Sequence, residues 1–342
     1  MPTVIAETIR GGIVESIHHG VVVAVDTRGE VAASAGNPDH VVFFRSSAKP
    51  FQAIPLIESG AADAYGFTPA ELALACASHY GSPEHKRQVA AMLAKIGLSE
   101  TDLRCGCPLP IDADEAARIV TGAVAPSPLQ CDCSGKHAGM LATIVHERGS
   151  TDDYLDPNHP LQRRILGVMS EVLRTPREEI ALGVDGCSLP TFGAPLRAFA
   201  TAFAALAAPT SVPVDCGRDH AAALDRLRAA MTAHPENVSG HGDLVTDLMD
   251  ISGGRIVAKS GAEGLICLAV PERGLGIAVR ILDGSFRVHP EVVLATLAQL
   301  DILDAAAREA IAARHSPQVR NHNGWLVGEY RPAFRLKVAA AA

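Results

Sequence analysis

Strand-like and helix-like spacing are unevenly spread along this chain, and that distribution limits its fold more than any single motif. Residues 21–25 (Val-Val-Val-Ala-Val) and 30–34 flank the turn Asp26-Thr27-Arg28-Gly29 and read as a β-hairpin. Residues 255–259, 265–270 and 275–280 read as three more strands, joined by tight turns such as Pro271-Glu272-Arg273-Gly274. Between the two groups the spacing is helical. Thr68-Pro69-Ala70-Glu71 is a helix start, with a capping Thr, Pro at the first position and Glu at the third. Ser82-Pro83-Glu84-His85 repeats the signal and opens a helix to about Ile96, closed by Gly97. Further helices are expected at about 113–121, 134–147, 159–173, 191–206 and 219–233, and one at about 289–300 before a short tail.

The late strands then complete a sheet begun by the early hairpin, with a helical block inserted between them. The expected class is α/β (α+β), with a mostly antiparallel sheet from early and late strands. The expected organisation is a single domain over 1–342, with an α/β lobe at about 1–65 and 250–342 and a mainly helical lobe at about 66–249. The place where two lobes meet is where ligand sites usually form.

Composition narrows the function. A net charge of −8 argues against nucleic acid, which needs a basic face. No segment approaches the roughly 20 apolar residues of a membrane span, and residues 1–12 hold no apolar run fit for a secretory signal. The expected setting is therefore cytoplasmic, with no membrane partner. There the eight cysteines are thiols or metal ligands rather than disulfides. Aromatic residues are scarce, so the core must be built from small aliphatic side chains.

The chemistry-bearing stretch is Arg45-Ser46-Ser47-Ala48-Lys49-Pro50, between an apolar lead-in and an apolar run at helical spacing. Ser46 stands at or near an N-cap, and Lys49, three residues on, shares its helical face. That spacing sets the Lys49 amine over the Ser46 hydroxyl. A lysine kept neutral by burial and nearby cations can activate a serine. A capped surface helix explains the same residues without chemistry. Lys259-Ser260-Gly261 ends a late strand and matches, with Ser for Thr, the Lys-Thr-Gly element of serine β-lactamases, whose nucleophile lies in Ser-x-x-Lys. Ser78 is a candidate for the middle hydroxyl, although no Ser-Asp-Asn accompanies it; a plain strand-end surface residue is the other reading of Lys259.

Cys105-x-Cys107 and Cys131-x-Cys133 together offer four thiolates to a structural zinc. Cys133-Ser134-Gly135-Lys136-His137 and Asp185-Gly186-Cys187-Ser188-Leu189-Pro190 are turns dense in reactive side chains. Cys76, Cys216 and Cys267 stand in apolar surroundings and read as core residues. His18 and His19 read as surface or hairpin residues.

Taken as a set, these motifs resemble the rhizobial-type L-asparaginases over nearly the whole chain; Ala77-Ser78-His79, residues 259–264 and the closing Gly324-Trp325-Leu326-Val327-Gly328-Glu329 add to the likeness. The resemblance implies a serine β-lactamase/glutaminase-like fold, a homodimer, and hydrolysis of L-asparagine to L-aspartate and ammonia. It implies two Ser-Lys pairs, Ser46 with Lys49 and Ser78 with Lys259, and a zinc held by Cys133, Lys136 and Cys187, which displaces the four-cysteine set. Arg45 is the candidate for the substrate α-carboxylate and Asp185 for the α-ammonium, with His137 and Gly261 also at the substrate. Residues 238–246 depart from the family pattern, where His241 and Asp243 are candidate substitutes. Two rivals stand beside this reading: a glutaminase or β-lactamase-like serine amidohydrolase, and a non-catalytic zinc- or thiol-binding module.

Overall fold

The computed structural model describes residues 3–211, 220–315 and 318–339. The chain divides into two compact units. One comprises Met1–Val42, Ala194–Pro213 and Asp247–Ala342; the other comprises Phe43–Gly193 and Val214–Thr246.

The first unit is built on a nine-stranded sheet. Its main path runs Gln318–Arg320, Leu326–Pro332, Thr3–Arg10, Ile13–Val25, Leu275–Ile281, Leu265–Val270 and Val257–Ser260. Val31–Ala35 pairs with Ile13–Val25, and Lys337–Val338 pairs with Val31–Ala35. The described pairings in this sheet are antiparallel. Early and late strands thus share one sheet, as their β-branched patterns demand. Leu265–Val270 is apolar at every position and buried at every position, the signature of an interior strand covered on both faces. The helix Leu196–Ala207 packs on this sheet, and Gly276 permits the approach: a Cβ there would lie 1.9 Å from the Ala200 carbonyl oxygen.

Three stretches differ from the sequence expectation. The segment expected as a helix from 191 begins as a strand, Pro190–Pro195, and turns helical only at Leu196. Pro195 holds the extended conformation at the N-cap, so the helix cannot start before it. Thr3–Arg10 is a strand where none was expected, and the tail carries the helix Ala305–His315 and three short strands. The unit division also differs from the expected lobes. Leu196–Ala207 groups with the sheet because its apolar surface packs there, while the chain from Phe43 onward groups with the helices.

The second unit is mainly helical, including Pro69–Ala75, Pro83–Lys95, Ser134–His146, Pro160–Leu173 and Ala221–Ala233. Thr68 and Glu71 form the capping box that their spacing predicts. Ser134–His146 is buried continuously from Ser134 to Ile144. It crosses Pro69–Ala75 so closely that a Cβ on Gly135 would lie 2.3 Å from the Leu74 carbonyl oxygen. This crossing fixes the next two residues, Lys136 and His137. Among the described residues, no helix is long and apolar enough to cross a membrane.

Candidate active site

Chemistry in the helical unit starts at a strained turn. Residues Arg45–Ala48 form a 3₁₀ turn, and Lys49–Gln52 continues as a short α-helix. Arg45 has φ +49°, a conformation that costs a non-glycine residue energy and that is often kept at functional sites. Ser46 is half-buried, and Lys49 is fully buried.

The i, i+3 spacing set the Lys49 amine over Ser46, but the structure aims it at the other serine. Lys49 Nζ donates to Ser78 Oγ at 2.9 Å. It also donates to the Asp132 carbonyl and to Asp132 Oδ2, each at 3.4 Å. Among the described residues, Ser46 Oγ has no hydrogen bond to Lys49. The reason is local: in the 3₁₀ turn the Lys49 amide bonds the Ser46 carbonyl, so the α-helical geometry assumed for the pair does not apply. Burial pulls the Lys49 pKa down, but the negative charges of Cys133, Asp132 and Cys187 outweigh it, and the net direction is up.

Arg45 and Asp185, 140 residues apart, form one ion pair: Arg45 Nε donates to Asp185 Oδ1 at 2.6 Å. The Gly186 amide also donates to Asp185 Oδ1, at 2.9 Å. Asp185 begins a turn closed by the Ser188 amide, with Ser188 at φ +70°. That turn carries Cys187 inward.

Cys187 accepts a hydrogen bond from Lys136 Nζ at 3.1 Å. A hydrogen bond from the Cys133 thiol, reinforced by the Lys136 ammonium, draws the Cys187 thiol down to about 5. Cys133 falls to about 7, through a hydrogen bond from Cys131 and the charges of Lys49 and Lys136. Burial opposes protonation of Lys136, but Cys187, Cys133 and Asp185 push its pKa up on balance. The three residues expected to hold zinc are thus gathered. In a tetrahedral site, bonds of about 2.3 Å to sulfur and about 2.1 Å to nitrogen put the two ligand atoms about 3.6 Å apart, so the observed 3.1 Å needs only a small opening.

The four-cysteine alternative is not gathered, because Cys107 is exposed while Cys105, Cys131 and Cys133 are buried. Cys131, Asp132 and Cys133 do bring one donor atom each within 4.8 Å of one another.

The neighbouring polar groups are neutral and oriented. His79 Nδ1 accepts from the Gly81 amide at 3.1 Å, so Nε2 donates to Ser134 Oγ at 2.8 Å. Burial, with the nearby ring of His85, lowers the His79 pKa to about 3. His137 is fully buried, and its Nδ1 lies 2.8 Å from the Tyr154 hydroxyl. The divergent 238–246 stretch borders Ser78: the Ser78 amide donates to the Val238 carbonyl at 2.9 Å, and Tyr80 to Ser239 likewise. Asp243 accepts from the Tyr80 hydroxyl and the Val245 amide, an anchoring role, and His241 is exposed.

Lys259 and Gly261 belong to the sheet unit. Lys259 is fully buried on Val257–Ser260 and is not the surface lysine of the alternative reading; its Nζ donates to the Ser260 carbonyl at 2.9 Å. The Gly261 amide donates to the Leu265 carbonyl at 2.8 Å, closing the turn to the next strand. Cys76 and Cys267 are buried core residues, and Cys216 lies outside the described residues. His18 is a hairpin residue rather than a surface one: it lies on Ile13–Val25, paired with Thr3–Arg10, and strand alternation turns it inward, between Asp283 at 2.6 Å and Arg287, while His19 is exposed. Asp132 and Tyr154 were not singled out from sequence; the position of Asp132 between two cysteines was the only available signal for it.

The sequence of the L-asparaginase II family matches this chain over residues 6–332. The chain belongs to the L-asparaginase II family. By that membership it is an amidohydrolase, and its substrate is a small molecule. No curated protein matches the sequence. Among solved structures it is similar to a β-lactamase from Mycobacterium bovis, with 12% identity over 87% of this chain and 95% of that one and a TM-score of 0.40. It is also similar to the protein Mglu in its tris and glutamate form, with 16% identity over 84% of this chain and 60% of that one and a TM-score of 0.38.

Proposed function

We propose that this family member hydrolyses L-asparagine to L-aspartate and ammonia through a β-aspartyl-serine ester. The observation that carries the reading is the buried Lys49–Ser78 contact of 2.9 Å, in the same unit as the Arg45–Asp185 pair. An α-amino acid has a carboxylate and an ammonium on one carbon. An arginine and an aspartate side by side match that head group: Arg45 spends Nε on Asp185 and keeps its terminal nitrogens for a carboxylate, while Asp185 takes the ammonium.

In this mechanism Ser46, the half-exposed hydroxyl with no side-chain partner among the described residues, attacks the side-chain amide carbon. Lys49 takes its proton once its amine has turned from Ser78 toward Ser46. Ser78, bonded to Lys49 in the free protein, passes a proton to the departing ammonia and recovers one from the Lys49 ammonium, and water then cleaves the ester. Lys259 enters through its motif as the second lysine, partner to Ser78, and Gly261 through the same motif as a substrate contact. Cys133, Lys136 and Cys187 would hold zinc once Lys136 has lost its proton. When bound, the ion would supply positive charge that offsets the two thiolates. Two copies of this chain would assemble as a homodimer; exposed Ile13, Ile17, Trp325 and Leu326 on the sheet unit offer apolar surface for it.

The test is ammonia release from asparagine, glutamine and a chromogenic β-lactam, with mass-spectrometric mapping of the trapped ester. Asparagine turnover with the ester on Ser46 is the expected result. An ester on Ser78 exchanges the serines' roles, and turnover that survives Ser46→Ala and Ser78→Ala together ends the serine mechanism. Metal analysis of wild type and Cys187→Ser, and light scattering of the purified protein, test the zinc and the dimer.

A further inference from the structure

Among the described residues, the ring of His137 is hydrogen-bonded through one nitrogen only. Its Nδ1 lies 2.8 Å from the Tyr154 hydroxyl, and the two rings meet edge to face at 81°. The Tyr154 oxygen also accepts the Arg104 amide hydrogen at 2.8 Å. A phenol has one hydrogen to give. With the amide using a lone pair, the hydroxyl hydrogen satisfies its bonding only by going to His137 Nδ1. Were Nδ1 the donor instead, the oxygen would receive two hydrogens and its own would have no acceptor in this buried place.

Nδ1 is therefore the acceptor, and the ring hydrogen sits on Nε2. That atom is buried and has no partner among the described residues. A buried donor left unmade costs the fold free energy, so such groups usually serve something that binds. His137 directly follows Lys136 on the buried helix Ser134–His146 and feels the charges of Lys136, Cys133, Lys49 and Asp132. It belongs to the same cluster as the proposed active site.

We propose that Tyr154 is a positioning residue: its hydroxyl fixes the tautomer of His137 so that Nε2–H is a standing donor to the side-chain oxygen of a bound amino acid, the amide oxygen of asparagine or a carboxylate oxygen of aspartate. This rests on the asparaginase reading for the identity of the ligand, though not for the tautomer. The rest of the Tyr154 environment suits the task. The Tyr154 carbonyl accepts from Gln162 Nε2 at 2.9 Å, so the backbone that carries the phenol is itself tied to the helix Pro160–Leu173. The donor would favour ligands with an acceptor at that place over those with an ammonium.

The test uses full-length protein labelled with ¹⁵N-histidine. Long-range ¹H–¹⁵N spectra separate the two neutral tautomers directly. The expected result is His137 protonated on Nε2 in the free protein, with that resonance shifting when L-aspartate is added. Tyr154→Phe keeps the ring and removes the donor. It should give a mixture of tautomers and raise KM for asparagine about three- to tenfold, the range of one net hydrogen bond, with a smaller change in kcat. A wild-type ring protonated on Nδ1 overturns the proposal, as does an Nε2 resonance unmoved by saturating aspartate or a Tyr154→Phe protein with an unchanged tautomer. The wild-type spectra decide even if that variant fails to fold. Absence of asparagine turnover would end the asparaginase reading alone, because the tautomer and its response to ligand are read without activity.

Discussion

Gly135→Ala tests whether a backbone crossing positions the catalytic cluster. A methyl group at Gly135 would lie 2.3 Å from the Leu74 carbonyl oxygen and 2.9 Å from the Leu74 carbonyl carbon and Cγ. Comfortable carbon–oxygen contact begins at about 3.3 Å, so Ser134–His146 and Pro69–Ala75 must part by about 1 Å. Backbone on the Leu74 side cannot swing away as a side-chain tip would. Overpacking of this kind costs about 1–3 kcal/mol. The gain in helix propensity from Gly to Ala returns about 0.5–1 kcal/mol, which leaves a net loss of up to about 2.5 kcal/mol. Calorimetry should show this as a fall of up to about 10 °C in the melting of the affected unit. The larger effect should be on turnover. Lys136 and His137 are the next two residues, and a misplacement of about 1 Å can cost about a hundredfold in rate. Gly139→Ala on the same helix is the control. Its Cβ would meet only the Ala75 and Leu56 side chains, at 3.2 and 3.3 Å, and these can yield. Its melting should shift by about 1–2 °C for each half kilocalorie that remains after the propensity gain. Wild-type melting and turnover in Gly135→Ala would refute the claim that this crossing sets the site.

Lys49→Met should lower kcat for ammonia release by about 10²–10⁴, the share of a positioned acid–base group; a loss under about tenfold contradicts its role. Arg45→Met and Asp185→Asn should each raise KM by about ten- to a hundredfold, since each removes a charged hydrogen bond. Because the two side chains touch at 2.6 Å, the double variant should cost less than the product of the singles, and strict additivity in a double-mutant cycle would argue that they act apart. His79 gives a pH prediction. Its folded pKa is about 3 against about 6.5 for a free ring, so its contribution is fully present above about 6.5 and is lost as pH falls toward 3. Denaturant melts of wild type across that window should weaken more steeply than those of His79→Gln, and parallel curves would count against a neutral buried ring.

Much of the fold was legible because its signals are local. Residues 265–270 are continuously apolar and become an interior strand, while Thr68 and Glu71 announce a cap that forms as spaced. The site was legible as a membership but not as a set of contacts. Arg45, Asp185, Lys136 and Cys187 each stand in a dense motif, yet no spacing tells that Arg45 meets Asp185 or that Lys136 meets Cys187. Lys49 shows why even short-range inference fails. Three residues from Ser46 means one helical face only if the turn is α-helical. The left-handed Arg45 and the 3₁₀ turn send the amine to Ser78 instead. Tyr154 was invisible for a different reason. It lies in a polar connecting segment with no motif, and its importance comes wholly from the ring it meets.

The charges around Lys49 tie two questions into one. A lysine that accepts a proton from serine must be neutral when the substrate arrives. Burial favours that state, but Cys133, Asp132 and Cys187 favour the ammonium and prevail. The same thiolates hold Lys136 as an ammonium at 3.1 Å from Cys187. Two buried ammonium groups face two acidic thiols and the Asp132 carboxylate, and such a cluster resists giving up any one proton. Whatever neutralises the thiolates removes two of the three negative charges that hold the proton on Lys49 and shifts the balance toward the free amine. In the mechanism proposed here the identity of the base and the state of Cys133 and Cys187 are therefore not separable. A change at the thiols, some distance from the reacting carbonyl in function, should register as a change in how readily Lys49 takes the serine proton.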